Sequence, residues 1–525
     1  MDGFTACWCG YTDSMSLSAI FDSNITYNPT LLFFSAVTGA FTTLSATMPP
    51  LLQAQARSTF FMRSLTMSDN NFSTLALPTA LLSNLNDLGY SSMTTIQAQA
   101  LPAILDGKDV IAQAKTGSGK TAAFGLGLLA KLDVKYFRVQ SLVLCPTREL
   151  ADQVAAELRK LARSIHNIKI LTLCGGVPIG PQIGSLEHGA HIIVGTPGRV
   201  IDHLDKGRLK LDDLTTLVLD EADRMLEMGF SADLDAVIAM APAARQTLLF
   251  SATYPAAIAS LSERLLRSPL RVTVEEQHTS SSIEQKFYQL SHNNDRMAAL
   301  QALLLNYQGQ SSMVFCNTKR ETQDVADVLA DFGFSVLALH GDMEQKDRDQ
   351  TLVQFANGSA CILVATDVAA RGLDISSVDA VFNYQLAHDA DTHTHRVGRT
   401  GRAGQSGMAL SLFTASDAGK LVSLEDGLGI AITPAELPAI TPALTPAKPV
   451  MATLQLDGGK KHKIRAGDIV GALTASKQLT NDDLGKIQLH DIWSFVAVKR
   501  SKLKLALQLI QQGKIKGKSI RARAL

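Results

Sequence analysis

From about Leu75 onward, short apolar runs alternate with longer stretches in which apolar positions recur every three or four residues. The short runs lie at 109–114, 141–145, 191–195, 216–219 and 247–250. Runs of this length separated by amphipathic, helix-length segments predict the βαβ rhythm of a parallel sheet. After a polar stretch at 275–282 the rhythm restarts, with runs at 312–315, 335–339, 361–365 and 380–383. The pattern predicts two α/β domains in tandem, over 67–275 and 283–430.

Both ends depart from this rhythm. Residues 1–66 are rich in Ser, Thr, Leu and Phe, carry their first basic residue at Arg57 and show no period. A secretory signal needs a positive start and a transit peptide needs arginines throughout, so neither address fits. We expect this extension to be disordered or to precede the true start, with translation beginning near Met67. At 431–450 the repeated prolines of TPAELPAITPALTPAKPV predict a semi-rigid, extended linker. Beyond it, 451–525 is long enough for one small domain, with strands predicted at 452–456 and 492–498 and a helix at 502–512.

Charge sharpens this division. The whole chain of 525 residues is neutral, with 49 Lys and Arg against 49 Asp and Glu. Residues 451–525, however, hold 15 basic against 5 acidic side chains, leaving 34 against 44 for the rest. A basic appendage on an acidic body suits a polyanion, although a solvated basic face without a partner has the same composition. No apolar run approaches the roughly 20 residues of a membrane-spanning helix. Of the six cysteines, four sit singly in apolar runs, which argues for reduced thiols in a cytoplasmic protein and against zinc.

The candidate chemistry begins where the first strand ends. Ala114, Lys115, Thr116, Gly117, Ser118, Gly119, Lys120 and Thr121 lead into the helical pattern TAAFGLGLLAKL, the context a phosphate-binding loop requires. Its amides would face phosphate oxygens, Lys120 the β and γ phosphates, and the Thr121 hydroxyl a Mg²⁺ ion. The first position is Ala114, where the general pattern has Gly. A strand then ends at Asp220, Glu221, Ala222 and Asp223. Acids at the carboxyl end of a neighbouring parallel strand can hold Mg²⁺ through water (Asp220) and orient an attacking water (Glu221). Taken alone, either motif is also compatible with a solvated turn.

Together these residues resemble the DEAD-box RNA helicase family, named for the tetrad at 220–223, and the likeness runs from about Phe72 to Ser411. It implies two tandem RecA-like parallel-sheet domains and an RNA-stimulated ATPase that takes ATP and Mg²⁺. GYSSMTTIQ ending at Gln97, with Phe72 upstream, resembles the family's adenine-reading motif; an amide side chain has the donor and acceptor for adenine N6 and N7. Pro146, Thr147 and Arg148, Gly175 and Gly176, and Thr196, Pro197, Gly198 and Arg199 match RNA-facing loops, as do Asn317, Arg348 and Thr366 in the second domain. Such backbone contacts position RNA without reading its bases. Ser251 and Thr253 resemble the motif that couples Asp223 to RNA binding, with His395 in the same coupling group, and Asp374 would face the ribose. In HRVGRTGR, at 395–402, Arg399 and Arg402 correspond to arginine fingers.

The C-terminal segments 451–473 and 485–525 resemble the RRM-like α+β RNA-binding domain of the family's DbpA branch. That branch implies local unwinding or remodelling of 23S rRNA near hairpin 92, on pre-50S particles during large-subunit assembly, by a monomer. An ATP-gated RNA clamp or chaperone of broader specificity would use the same residues; a DNA translocase fits the motifs less well. Within the domain, Trp493 and Phe495 share one strand face and would either stack on bases or pack on the linker or a neighbouring domain. Asp491 and Gln455 stand where an RRM usually has a basic and an aromatic residue. Lys460, Lys461, Lys463, Arg465, Lys514, Lys516 and Lys518 are the candidate phosphate contacts.

Overall fold

The apolar runs form the interiors of two parallel sheets. In the computed structural model the described residues are 70–114, 117–274, 283–307, 309, 311–370, 378–401, 406–439 and 444–525. The extension 1–66, the polar stretch 275–282, Lys115, Thr116, Asp374 and Arg402 lie outside them. The first sheet contains β1 (Val110–Gln113), β2 (Ser141–Leu144), β3 (Ile170–Leu173), β4 (Ile192–Gly195), β5 (Thr216–Asp220), β6 (Gln246–Ser251) and β7 (Leu270–Thr273), in the order β3-β4-β2-β5-β6-β1-β7. Every pairing is parallel. Alternate residues enter different cores: Val110, Leu248 and Phe250 pack on one face, Ile111, Leu217 and Leu249 on the other. Burial of both faces is why these strands read as continuous apolar runs.

The second sheet contains β8 (Ile283–Leu290), β9 (Ser312–Cys316), β10 (Val336–Leu339), β11 (Ile362–Thr366), β12 (Ala380–Asn383) and β13 (Gly407–Thr414), in the order β10-β11-β9-β12-β13-β8, again all parallel. All nine runs singled out in the sequence fall in strands of these two sheets. Edge strands β3, β7 and β8 escape that reading because polar or exposed residues interrupt their apolar positions. β13 escapes it because it follows the arginine-rich loop without an intervening amphipathic helix.

The C-terminal domain is an antiparallel sheet, β15-β16-β14-β17, built from β14 (Met451–Leu456), β15 (Leu484–Leu489), β16 (Ser494–Lys499) and β17 (Ala522–Ala524). Helices Ala466–Thr474 and Leu503–Gln512 cover one face, where Leu454, Leu456, Ile469, Leu473, Val496, Val498, Ala506 and Ile510 form the core. The opposite face is buried too. Thr453 Oγ1 meets Asn357 Nδ2 and Ser359 Oγ, both at 2.8 Å, and Gln350 Nε2 donates to Gln455 Oε1 at 3.2 Å. The sheet therefore lies against the helix Gln345–Ala356 of the second helicase domain and the turn that follows it. Phe495, opposite Gln455 in the register, is fully buried, so of the two readings open for its ring the structure shows packing. Among the described residues no helix is long and apolar enough to cross a membrane.

Candidate functional site

The phosphate loop leaves β1 and enters the helix Lys120–Lys131. Ala114 N donates to Ser251 O at 3.0 Å, anchoring the loop to the end of β6. Gly119 has φ 93°, and a Cβ there would lie 2.5 Å from Gln97 Nε2, so the position requires glycine on both counts. Lys120 Nζ donates to Ala114 O at 2.6 Å, and Ser118 Oγ is buried without a hydrogen-bond partner among the described residues. A lysine, a hydroxyl and free amides gathered at a helix N-terminus suit phosphate oxygens. Gln97 is held beside them: its Oε1 accepts from Thr94 N at 2.9 Å and its Nε2 donates to Gly119 O at 3.1 Å. Phe72 is buried edge-on against Tyr90, ring centroids 6.3 Å apart.

β5 delivers Asp220 next to this loop. Burial pushes its carboxyl up to about 7, against the pull of Lys120. Glu221 follows with φ 53°, a left-handed conformation that costs a non-glycine residue roughly 1–3 kcal/mol and often marks a functional position. Asp223 then ties β5 to β6: its Oδ2 accepts from Thr253 N and Thr253 Oγ1, both at 2.9 Å, and from Ala252 N at 3.2 Å. Ser251 Oγ is buried without a partner among the described residues.

One cleft joins the two helicase domains. Glu221, Asp223, Arg224 and Ala252 line it from the first; Phe315, Asp367, Thr392, His395, Arg396 and Arg399 line it from the second. Burial raises the Glu221 carboxyl, and the charges of Lys120 and Arg399 pull it back. Arg399 thus acts electrostatically on an acid of the opposite domain. Arg396 holds the preceding helix, Ala390–Val397, in place. It donates to Asp367 Oδ1 and Oδ2 and to Gln385 O at 2.7 Å, to Asn317 Oδ1 at 2.8 Å and to Asn383 Oδ1 at 3.2 Å.

The loops expected to face RNA have capped or braced geometry. Thr147 Oγ1 accepts from Leu150 N at 3.3 Å and caps the helix Arg148–Leu161, placing Arg148 and Glu149 in its first turn. Arg348 Nε donates to Glu149 Oε1 at 2.6 Å, and Arg148 Nη2 lies 3.8 Å from Asp349 Oδ2. Gly176, with φ 72°, adjoins both Arg148 and Gln345. Thr196 precedes the helix Pro197–Asp205, whose Arg199 donates to Gln182 Oε1 at 3.1 Å; Gln182 Nε2 in turn donates to Cys174 O at 2.9 Å. Thr366 Oγ1 accepts from Ala369 N at 3.3 Å, and Asn317 Nδ2 donates to Leu386 O at 3.2 Å. In the C-terminal domain Lys516 Nζ donates to Lys463 O at 2.8 Å, so the basic loops at 460–465 and 514–518 are neighbours.

Comparison with known proteins agrees with this layout. The DEAD/DEAH box helicase family matches residues 94–261, the helicase conserved C-terminal domain 295–404 and the DbpA RNA binding domain 453–524. The ATP-dependent RNA helicase DbpA of Escherichia coli (strain K12) is 56% identical over 455 residues, 86% of this chain and 99% of that protein. The chain belongs to the DbpA-like DEAD-box RNA helicases. DbpA of Bacillus subtilis (strain 168) is 36% identical over 463 residues, 84% of this chain and 96% of the relative. Among solved structures, Saccharomyces cerevisiae Dbp5 bound to RNA and ADP BeF3 matches with TM-score 0.63 and 30% identity, covering 70% of this chain and 95% of that one.

As a DEAD-box helicase the chain is an ATP-dependent, RNA-stimulated ATPase that binds RNA. Three features of this helicase were not singled out in its sequence. Arg396 is one of three arginines in eight residues, and nothing local separates the brace from the residue that acts on Glu221. Glu149 and Asp349 gain meaning only through their partners in the other domain. Gln182 is one of three polar residues of the helix Gly180–Glu187, and nothing local marks it as the one that is buried.

Proposed function

We propose that this helicase locally unwinds or remodels 23S rRNA near hairpin 92 during large-subunit assembly, as a cytoplasmic monomer acting on pre-50S particles. The carrying observation is the match of 453–524 to the DbpA RNA binding domain, together with the adjacency of its two basic loops. Lys460, Lys461, Lys463, Arg465, Lys514, Lys516 and Lys518 contact rRNA phosphates, which makes binding steeply salt-dependent. The core groove holds the strand by its backbone through Pro146–Arg148, Gly175, Gly176, Thr196–Arg199, Asn317, Arg348 and Thr366.

In the ATPase site, the loop 114–121 cradles the phosphates, Gln97 and Phe72 receive the adenine and Asp374 the ribose. Glu221 orients the attacking water, and Arg399 with Arg402 faces the charge that builds on the γ-phosphoryl group. Asp223, Ser251, Thr253 and His395 couple this site to the RNA groove. Thr121 and Asp220 fit Mg²⁺, which favours one or two carboxylates plus phosphate oxygens and water. The bound ion would neutralise charge between the β and γ phosphates. Because acids and arginines come from different domains, full turnover requires closure of the cleft.

The test is the steady-state ATPase rate of the full chain against a panel of RNAs. Fragments of 23S rRNA containing hairpin 92 should stimulate at least about tenfold better, per mole of RNA, than unrelated hairpins, an advantage of the size that 1–2 kcal/mol of extra binding supplies. Replacing Lys460, Lys463 and Lys516 together by Ala should remove that advantage. Equal stimulation by all structured RNAs would refute the rRNA assignment while leaving the ATPase intact.

A further inference from the structure

Where the C-terminal sheet meets the helicase groove, three buried polar atoms lack a hydrogen-bond partner among the described residues: Arg148 Nη1, Gln488 Oε1 and Trp493 Nε1. Trp493 closes the turn between β15 and β16. Its carbonyl accepts from His490 N at 2.9 Å, and the two rings lie 6.5 Å apart. The His490 ring also meets Phe495 edge-on at 5.3 Å. Across the sheet face Thr453 meets Asn357 and Gln455 meets Gln350, so the end of the sheet that carries Gln488 and the turn at 490–493 lies toward the start of the helix Gln345–Ala356, where Asp349 Oδ2 is 3.8 Å from Arg148 Nη2.

The same turn touches the basic loop on its other side. His490 O accepts from Lys460 N and Asp491 O from Lys461 N, both at 2.8 Å. The turn at 490–493 therefore lies between the start of that helix, where Asp349 faces Arg148, and Lys460 and Lys461 of the C-terminal domain.

Buried N–H groups of an indole and a guanidinium need acceptors, and an amide oxygen needs a donor. Asp349, the nearby acid, already faces Arg148 through Nη2. A nucleotide supplies what is missing: phosphate and base oxygens accept, base amino groups donate, and the base plane can stack on an exposed ring edge or face.

We propose that Gln488, His490 and Trp493 form with Arg148 a binding site for one nucleotide of the single strand held by the core, carrying that strand from the groove to the basic loops. The site rests on the reading of Arg148 as an RNA contact. It makes the C-terminal domain a wall of the RNA path of the core as well as an anchor for a separate hairpin.

The chain has two tryptophans, Trp8 and Trp493, so a Trp8→Phe protein reports on Trp493 alone. We would titrate it with a short single-stranded oligouridylate carrying 5-bromouridine, a heavy-atom quencher, in the presence of a non-hydrolysable ATP analogue. Tryptophan emission should fall with the same midpoint as the anisotropy of the labelled RNA. Trp493→Phe, which keeps a ring and removes the unpaired N–H, should weaken strand binding roughly threefold to tenfold without lowering the melting temperature. Saturating anisotropy with unchanged emission, or unchanged affinity in Trp493→Phe, would overturn the proposal alone. If Arg148→Ala binds the strand as tightly as the parent, both the proposal and the reading of Arg148 fail.

Discussion

Glu149 and Arg348 stand 199 residues apart in the chain and 2.6 Å apart in the structure, their side chains only 13% and 12% exposed. The pair connects the first turn of the helix Arg148–Leu161 in one helicase domain to the helix Gln345–Ala356 in the other. It forms only when the two domains approach, so its energy favours closure and not the folding of either sheet. A charged hydrogen bond of this kind contributes about 1.5–3 kcal/mol. Glu149→Gln should therefore lower RNA-stimulated ATPase about tenfold to a hundredfold while leaving the melting temperature nearly unchanged. The exchanged pair Glu149→Arg with Arg348→Glu should recover part of the loss. Parental turnover in the single variant would show that the pair does not report closure.

Glu221 combines a left-handed backbone, burial and the opposing charges of Lys120 and Arg399. An amide has the same shape but cannot carry the negative charge that orients and accepts a proton from water. Glu221→Gln should bind ATP within about threefold of the parent and lose at least about a hundredfold in turnover, the range of a positioned general base. Single-turnover hydrolysis beside equilibrium nucleotide binding checks this, and turnover close to the parent's would remove Glu221 from the water-orienting role.

What the sequence reveals here follows from how local the cause is. Leu217, Val218 and Leu219 are legible as an interior strand because both faces of the sheet demand apolar side chains. The phosphate loop and the acids at 220–223 are legible because their chemistry sits within a few residues of one strand end. Arg396 is not legible as a brace. Its partners Asp367 and Asn317 are 29 and 79 residues away, and only the fold shows that Arg396 spends its donors on them while Arg399, in the same cleft, faces the charge of Glu221. Phe495 fails for a related reason, since an alternating strand shows that its ring leaves the domain core but not that a second domain covers it.

Gln182 accepts from Arg199, faces His203 Nε2 at 3.0 Å and donates to the carbonyl of Cys174, immediately before Gly175 and Gly176. One amide thus ties the loop at Cys174–Gly176 to the helix that carries Arg199, two segments we propose to face RNA. Gln182→Leu keeps the volume but leaves a buried carbonyl and guanidinium N–H unpaired, a loss of about 1–3 kcal/mol. We expect weaker binding of single-stranded RNA by roughly tenfold with unchanged ATP affinity. Anisotropy titrations in the presence and absence of nucleotide separate the two, and equal loss of ATP affinity would point to general misfolding of the first domain.

His393 lies in the helix that carries Arg396, buried with its ring stacked at 21° on Phe287 and its Nε2 donating to Gln285 Oε1 at 3.0 Å. Burial, with the Arg396 charge beside it, lowers its pKa from 6.5 to about 4. In the unfolded chain the ring gains its proton near 6.5, so between that value and about 4 the unfolded state binds more protons than the folded one. The stability contributed by the neutral ring is complete above the unfolded pKa and is lost as pH falls through this window, by about 2 kcal/mol between pH 7 and 5. Urea unfolding at those two pH values should show the loss in the parent, and His393→Gln, which cannot titrate, should show a pH dependence smaller by that amount. An identical slope in both proteins would mean that His393 takes up protons equally in the folded and unfolded states, contrary to a pKa lowered by burial.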